Sequence, residues 1–224
     1  MNFENRVLHT VDIFGAELWI TETLVNTWIV SAFLILVALV IRLVITRFKE
    51  IPTGKQNIVE AIIETFDNFV KNTMGEENRA FGNVFFGLFI FILAANLSGL
   101  FNLRPPTADL TATLALSLPA LVLIQYTAFK RNAKDHVKSL FQPLFIFLPI
   151  NIIGELSVGF SLGIRLFGNI LSGLIVMGLI YYFLPPLLAF GPPAILHAYF
   201  DFFAGAMQAF VFTILCMMFI KNKF

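Results

Sequence analysis

Apolar residues run along this chain in long unbroken blocks, and polar residues gather in the short gaps between them. Leu24–Ile45 carries no formal charge between Thr23 and Ile41, which is enough for a helix of about 20 residues to cross a bilayer. Arg42, Arg47, Lys49 and Lys55 follow it, a basic flank that reads as cytoplasmic. Ile51-Pro52-Thr53-Gly54 then breaks the helix. Residues 57–72 alternate differently. Ile58, Val59, Ile62, Ile63, Phe66, Phe69 and Val70 make one stripe, with Glu60, Glu64, Asp67 and Lys71 opposite. Such a helix is too charged to span. It either lies along the interface or packs as a soluble helix on a partner, and the interfacial placement is preferred.

Residues 81–101 and 110–129 are the second and third spans, joined by a short Pro105-Pro106 turn. That turn holds only Arg104 and Asp109 as charges, whereas Lys130, Arg131, Lys134 and Lys138 follow the third span. Counting positive charges puts 102–109 outside and 130–138 inside. The fourth apolar region, Leu140–Phe190, is too long for one upright helix. From Ile150 to Leu184 a helix would be roughly 50 Å long, against a hydrocarbon core of about 30 Å. Two passes there would leave Lys221 and Lys223 outside. One long tilted helix over 148–184, a proline-rich turn without Lys or Arg, and a second tilted span over 194–220 keep them inside. The expected fold is therefore all-α and polytopic. It is a single membrane domain over 1–224 with about five spans, an interfacial helix and an external N-terminal segment, 1–23. No cleavable signal peptide is expected, because the first apolar run starts late and ends in basic residues.

Composition supports this class. The chain is 58% hydrophobic and 13% charged, with 27 Phe among 224 residues and a mean hydropathy of +0.84; soluble domains carry about 25% charged residues. A formal net charge of +1 argues against nucleic acid as a partner. Cys216 is the only cysteine, so no internal disulfide forms, and its apolar setting reads as packing. No phosphate loop, metal-type cluster or nucleophile–base pair is visible, so no cofactor, metal or catalytic residue is expected. The Gly159–Gly163 spacing carries little weight by itself, and the absence of internal repeats weakens a duplicated-transporter reading.

The unusual chemistry is concentrated in the last two spans. Between Lys138 and Lys221 the only formal charges are Glu155, Arg165 and Asp201. An arginine at that depth costs at least about 2.5–3.5 kcal/mol, so it should face protein or water. It stays protonated and cannot carry a proton itself. It needs a negative partner, and one reading is a plain staple to an acid on a neighbouring helix. Glu155 is not that acid within one helix, because ten residues separate them by about 15 Å. On a helix Ser161, Arg165, Asn169 and Ser172 share one face, with Gly154 and Gly168 close by. On the last span His197, Asp201, Ala204, Gly205 and Gln208 form a second polar stripe. His197 reads as an interfacial histidine or a relay. Asp201 is costly in lipid unless it titrates or pairs. Gln208 could bond Asn169 or the Arg165 backbone, or simply hold helices together. Asn96 and Asp109 are secondary candidates at the edge of the spans, with Ser161 and Ser172.

Serine-Leu-Gly-Ile-Arg-Leu-Phe-Gly-Asn-Ile-Leu-Ser-Gly over 161–173 resembles the arginine motif of subunit a of F-type ATP synthases. The resemblance extends to NLSGLF at 96–101, PPTADL at 105–110 and YFDFFAGAMQAFVF at 199–212. It implies a non-catalytic stator subunit in the bacterial plasma membrane, partnered by the rotating c-ring and by subunit b of the peripheral stalk. It implies conduction of H⁺ or Na⁺ through two half-channels separated by Arg165, with nucleotide chemistry in other subunits. Many relatives carry acids where this chain has Asn151 and Leu174, and some have histidine where Asp201 stands. This pattern is similar to the Gram-positive branch, in which Glu155 and Asp201 would take over those tasks. The rival readings are a stand-alone ion channel or transporter, in which Arg165 would line the pore, and a structural scaffold indifferent to it.

Overall fold

The structure is a computed structural model that describes residues 7–13, 16–45, 54–101, 103–142, 144–184 and 192–223. The expected basic flank at Arg47 and Lys49, the break at Pro52 and most of the proline-rich turn (185–191) lie outside them.

Among the described residues five helices are long and apolar enough to cross a membrane, and the chain is an all-α polytopic membrane protein. Helix α1, Glu22–Val44, is capped by Thr21, whose hydroxyl accepts from the Leu24 amide; Glu22 and Arg42 complement its two ends. Only Thr23, Asn26 and Val30 of α1 are buried. The helix is fastened near its start by polar bonds. Thr23 Oγ1 donates to Asp109 Oδ2 at 3.0 Å, and Asn26 Nδ2 to the Arg104 carbonyl at 2.9 Å. Its remaining apolar surface is left for lipid.

The segment before α1 is not simply a polar tail. Val7–Ile13 (β1) and Ala16–Thr21 (β2) pair antiparallel, with Thr10 opposite Trp19 and Ile13 opposite Ala16. Val, Ile, Thr and Trp suit a pleated ribbon, and the scattered charges obscured that pattern in the sequence.

Helix α2, Lys55–Met74, splits its apolar stripe. Ile58, Ile62 and Ile63 stay exposed, whereas Val70 and Met74 are buried. Phe66 meets Phe86 and Phe89 of α3, Gly82–Leu97, and Phe69 meets Phe210 of the last helix. Gly75, at φ 88°, ends α2 in a conformation few other residues tolerate.

Helix α4 runs from Leu110 to Leu140, past the charged residues at 130–138. Charge ends the apolar stretch there without ending the helix, because Lys, Arg and Ala are good helix formers. Helix α5, Leu148–Phe183, has 36 residues, about 54 Å of helix. It seats on α4 through two glycines. A Cβ on Gly159 would lie 2.8 Å from Leu121 Cβ, and one on Gly163 would lie 2.7 Å from Ser117 Oγ. Here the small-residue spacing discounted in the sequence makes a close helix contact.

The last apolar segment is not one regular helix. Pro192–His197 (α6) passes into a π-helix, Ala198–Ala204, and then into α7, Gly205–Lys221. The core lies where α3, α4, α5 and α7 meet, and includes Phe85, Ile92, Ile124, Leu162, Leu166, Phe212 and Met217. Cys216 is buried within it.

Candidate functional site

The buried edge of α5 is formed by Gly159, Leu162, Gly163, Leu166, Ile170, Gly173 and Met177. Among the described residues, nothing covers the exposed positions of the opposite edge. Ser161, Arg165, Asn169 and Ser172 are exposed on it, and a Cβ on Gly154 or Gly168 would meet open space. Ile153, Leu156, Ser157, Phe160, Ser161, Ile164 and Arg165 line a shallow cavity of about 660 Å³, all of them from α5. Among the described residues no acidic group forms a salt bridge with Arg165. The staple to an acid on a neighbouring helix is not found. Among the described residues the guanidinium has no acidic partner, and it lies on an outward face of serine, asparagine and apolar side chains.

One turn further along, Asn169 Nδ2 donates to Gln208 Oε1 at 2.6 Å. Gln208 is buried on α7, and its Nε2 has no acceptor among the described residues. Ser172 Oγ returns to the Asn169 carbonyl at 2.9 Å. The arginine-bearing face is thereby tied to the polar stripe of the last helix.

That stripe continues through the π-helix to Asp201. Asp201 Oδ2 meets His197 Nδ1 at 2.5 Å, and His197 Nε2 meets the Tyr181 hydroxyl at 2.9 Å. The three groups form a chain from α5 to the last segment. π-Helical turns recur at functional sites because they displace side chains from α-helical register. Tyr181 had no mark in the sequence beyond being one aromatic among many.

The Asp201 carboxylate also faces the turn after α3. A Cβ on Gly99 would lie 3.8 Å from Asp201 Oδ1. Asn96 is fully buried; its Nδ2 donates to the Gly205 carbonyl at 2.9 Å and its Oδ1 accepts from Thr107 Oγ1 at 2.7 Å. Gly205 leaves just enough room for the Asn96 side chain, at 3.0 Å. The segments NLSGLF, PPTADL and YFDFFAGAMQAFVF therefore converge on one buried junction. Asp109 sits apart from it. It caps α4 by accepting from the Thr111 amide at 2.9 Å and also holds Thr23.

Glu155 occupies the other end of α5. Gln125 Nε2 donates to its Oε2 at 2.9 Å, and Lys223 forms an ion pair with its Oε1. His136 Nε2 contacts Gln125 Oε1 at 3.2 Å. A cavity of about 490 Å³ opens beside the pair, with Ser139, Asn151, Gly154 and Asn222 among its walls. His136 carried no mark in the sequence, and Lys223 stood out only as a sign of topology. Among the described residues no group of three or more His, Cys, Asp or Glu is placed to hold a metal ion.

Comparison with known proteins assigns the chain as a whole. The family described as ATP synthase A chain matches residues 24–221. The chain is 34% identical to ATP synthase subunit a of Moorella thermoacetica, covering 91% of this chain and 90% of that protein. It is 32% identical to a protein named ATP synthase subunit a, sodium ion specific, of Propionigenium modestum, over 91% of this chain and 74% of that one. It is also 30% identical to ATP synthase subunit a of Staphylococcus carnosus, covering 96% and 95% of the two chains. With nearly all of its spanning region matched, this chain belongs to the ATP synthase A chain family.

Proposed function

We propose that this chain is the stator subunit that passes H⁺ or Na⁺ to and from a rotating ring of carboxylate-bearing subunits, through two half-channels kept apart by Arg165. The observation that carries the reading is the exposed Arg165 face of α5, where no acid among the described residues pairs with the guanidinium. A stand-alone pore would place this arginine inside the bundle.

The chemistry follows from electrostatics. An ionised carboxylate is costly in lipid, so a ring carboxylate must bind its ion before it turns away from this subunit. Beside the guanidinium the charged form is favoured, and the ion is released. Arginine cannot relay that proton, so it also blocks a direct path. Two polar clusters lie on either side of it along α5. Glu155 with Gln125 is ten residues before Arg165, about 15 Å, and Tyr181 with His197 and Asp201 is sixteen residues after it, about 24 Å. Each is suited to serve one half-channel, with Asn169 and Gln208 positioned to order the face between them. Ion flow then has to turn the ring, and nucleotide chemistry falls to other subunits.

In this reading the subunit spans the bacterial plasma membrane with its N-terminus outside and Lys221 inside, and a peripheral-stalk subunit b holds it against rotation. Purification of the native complex in mild detergent tests the assignment. An oligomeric proteolipid ring should accompany this chain, and crosslinks from Ser161→Cys should reach the ring. Isolation of the chain as a self-contained, ion-conducting unit would overturn it.

A further inference from the structure

Glu155 is held at both oxygens. Gln125 donates to Oε2, and the Lys223 ammonium occupies Oε1. A proton that takes the Oε1 lone pair now facing the ammonium can do so only when that donor withdraws. Gln125 lies within α4 and is itself engaged by His136. Lys223 lies two residues beyond the end of α7, on a flexible four-carbon stem. It is the partner able to move. The pair is only partly shielded, with side chains 21% and 25% exposed, and it forms part of the wall of the 490 Å³ cavity.

We propose that Lys223 is a positioning residue for ion translocation: its ammonium holds Glu155 as the charged wall of a cytoplasmic vestibule and releases it each time the carboxylate takes up a proton. This inference rests on the reading that Glu155 serves the ion path. A hydronium ion in the vestibule gives its proton to Oε1 and leaves as water, while the ammonium swings into solvent with its own protons unchanged. Among the described residues, the charged or titratable groups facing Glu155 are Lys223 from beyond α7 and His136 from α4. Such a counter-ion keeps a half-buried carboxylate from standing unpaired between loadings. It also makes uptake depend on the charge of one lysine.

The test uses membrane vesicles carrying the assembled complex with Lys223→Gln, Lys223→Arg, Glu155→Gln, or Lys223→Gln combined with Glu155→Gln. Passive proton conduction is read with a pH-sensitive dye across a range of cytoplasmic-side pH. Because the cation favours the ionised carboxylate, Lys223→Gln should move the half-maximal point up by about one pH unit. Lys223→Arg should keep the parental profile, and in the Glu155→Gln background the lysine substitution should make no further difference. A parental profile in Lys223→Gln, or a shift that persists without Glu155, overturns the proposal while leaving the role of Glu155 intact. Parental conduction in Glu155→Gln alone removes both readings together.

Discussion

Asn169 and Gln208, 39 residues apart in sequence, are joined by a 2.6 Å hydrogen bond that ties the arginine-bearing face of α5 to α7. Gln208 offers its carbonyl to this bond, and its buried amide nitrogen has no acceptor among the described residues. Replacing it by Leu should remove the bond at little cost in packing. Loss of one such bond is worth about 0.5–1.5 kcal/mol, so ATP-driven pumping should fall about threefold to tenfold while the complex still assembles. Unchanged pumping rates in vesicles would reduce the pair to helix glue.

Arg165→Lys keeps a positive charge but exchanges a planar fork for a compact ammonium that burial can deprotonate. It should lose both proton-driven synthesis and ATP-driven pumping without loss of assembly. Arg165→Ala should do the same and also let protons leak through the membrane sector. Vesicles energised by a pH gradient measure both effects. Coupled synthesis near the parental rate in Arg165→Ala would sink the proposed mechanism.

The Tyr181–His197–Asp201 chain predicts graded effects. Asp201→Asn removes a titratable acceptor and keeps its shape, so conduction should drop about a hundredfold, the lower range for a positioned proton acceptor. Tyr181→Phe removes only a supporting hydroxyl and should cost about threefold, in line with one neutral hydrogen bond. Equal losses in both variants would place the critical group at Tyr181 instead of Asp201.

Packing between α4 and α5 predicts a contrast between two glycines. Gly163→Val drives a side chain into Ser117 and Leu114, and overpacking of this kind costs about 1–3 kcal/mol. Gly154→Ala projects into open space and should be neutral. The yield and melting temperature of the purified complex should fall for the first and not for the second; the opposite order would contradict the observed helix contact.

Orientation is checked by labelling single cysteines in a Cys216→Ala background. Phe101→Cys, at an exposed position after α3, should react with an impermeant maleimide from outside. Lys134→Cys should react only after the cytoplasmic side is opened. Reversal of the two patterns would invert the proposed topology.

What the sequence alone determined was whatever depends on local composition. Lipid demands a minimum apolar length, so the spanning blocks can be counted from Leu24 onward, and the lysines and arginines of each gap give its expected side. A charge such as Arg165 or Asp201 stands out because its cost in that setting is independent of its neighbours. Tertiary structure alone decided which polar group meets which. Asn96 bonds Gly205 across 109 positions, and Lys223 reaches Glu155 across 68. No periodicity encodes such pairs, because each depends on how two helices are rotated and shifted against one another. The sequence offered Lys223 only as a sign of topology; the way α4, α5 and α7 pack brought it to an acid. The π-helix before Gly205 and the hairpin before Glu22 were hidden for a related reason. Both are backbone choices that the residues permit, and the fold selects them through contacts made elsewhere in the chain.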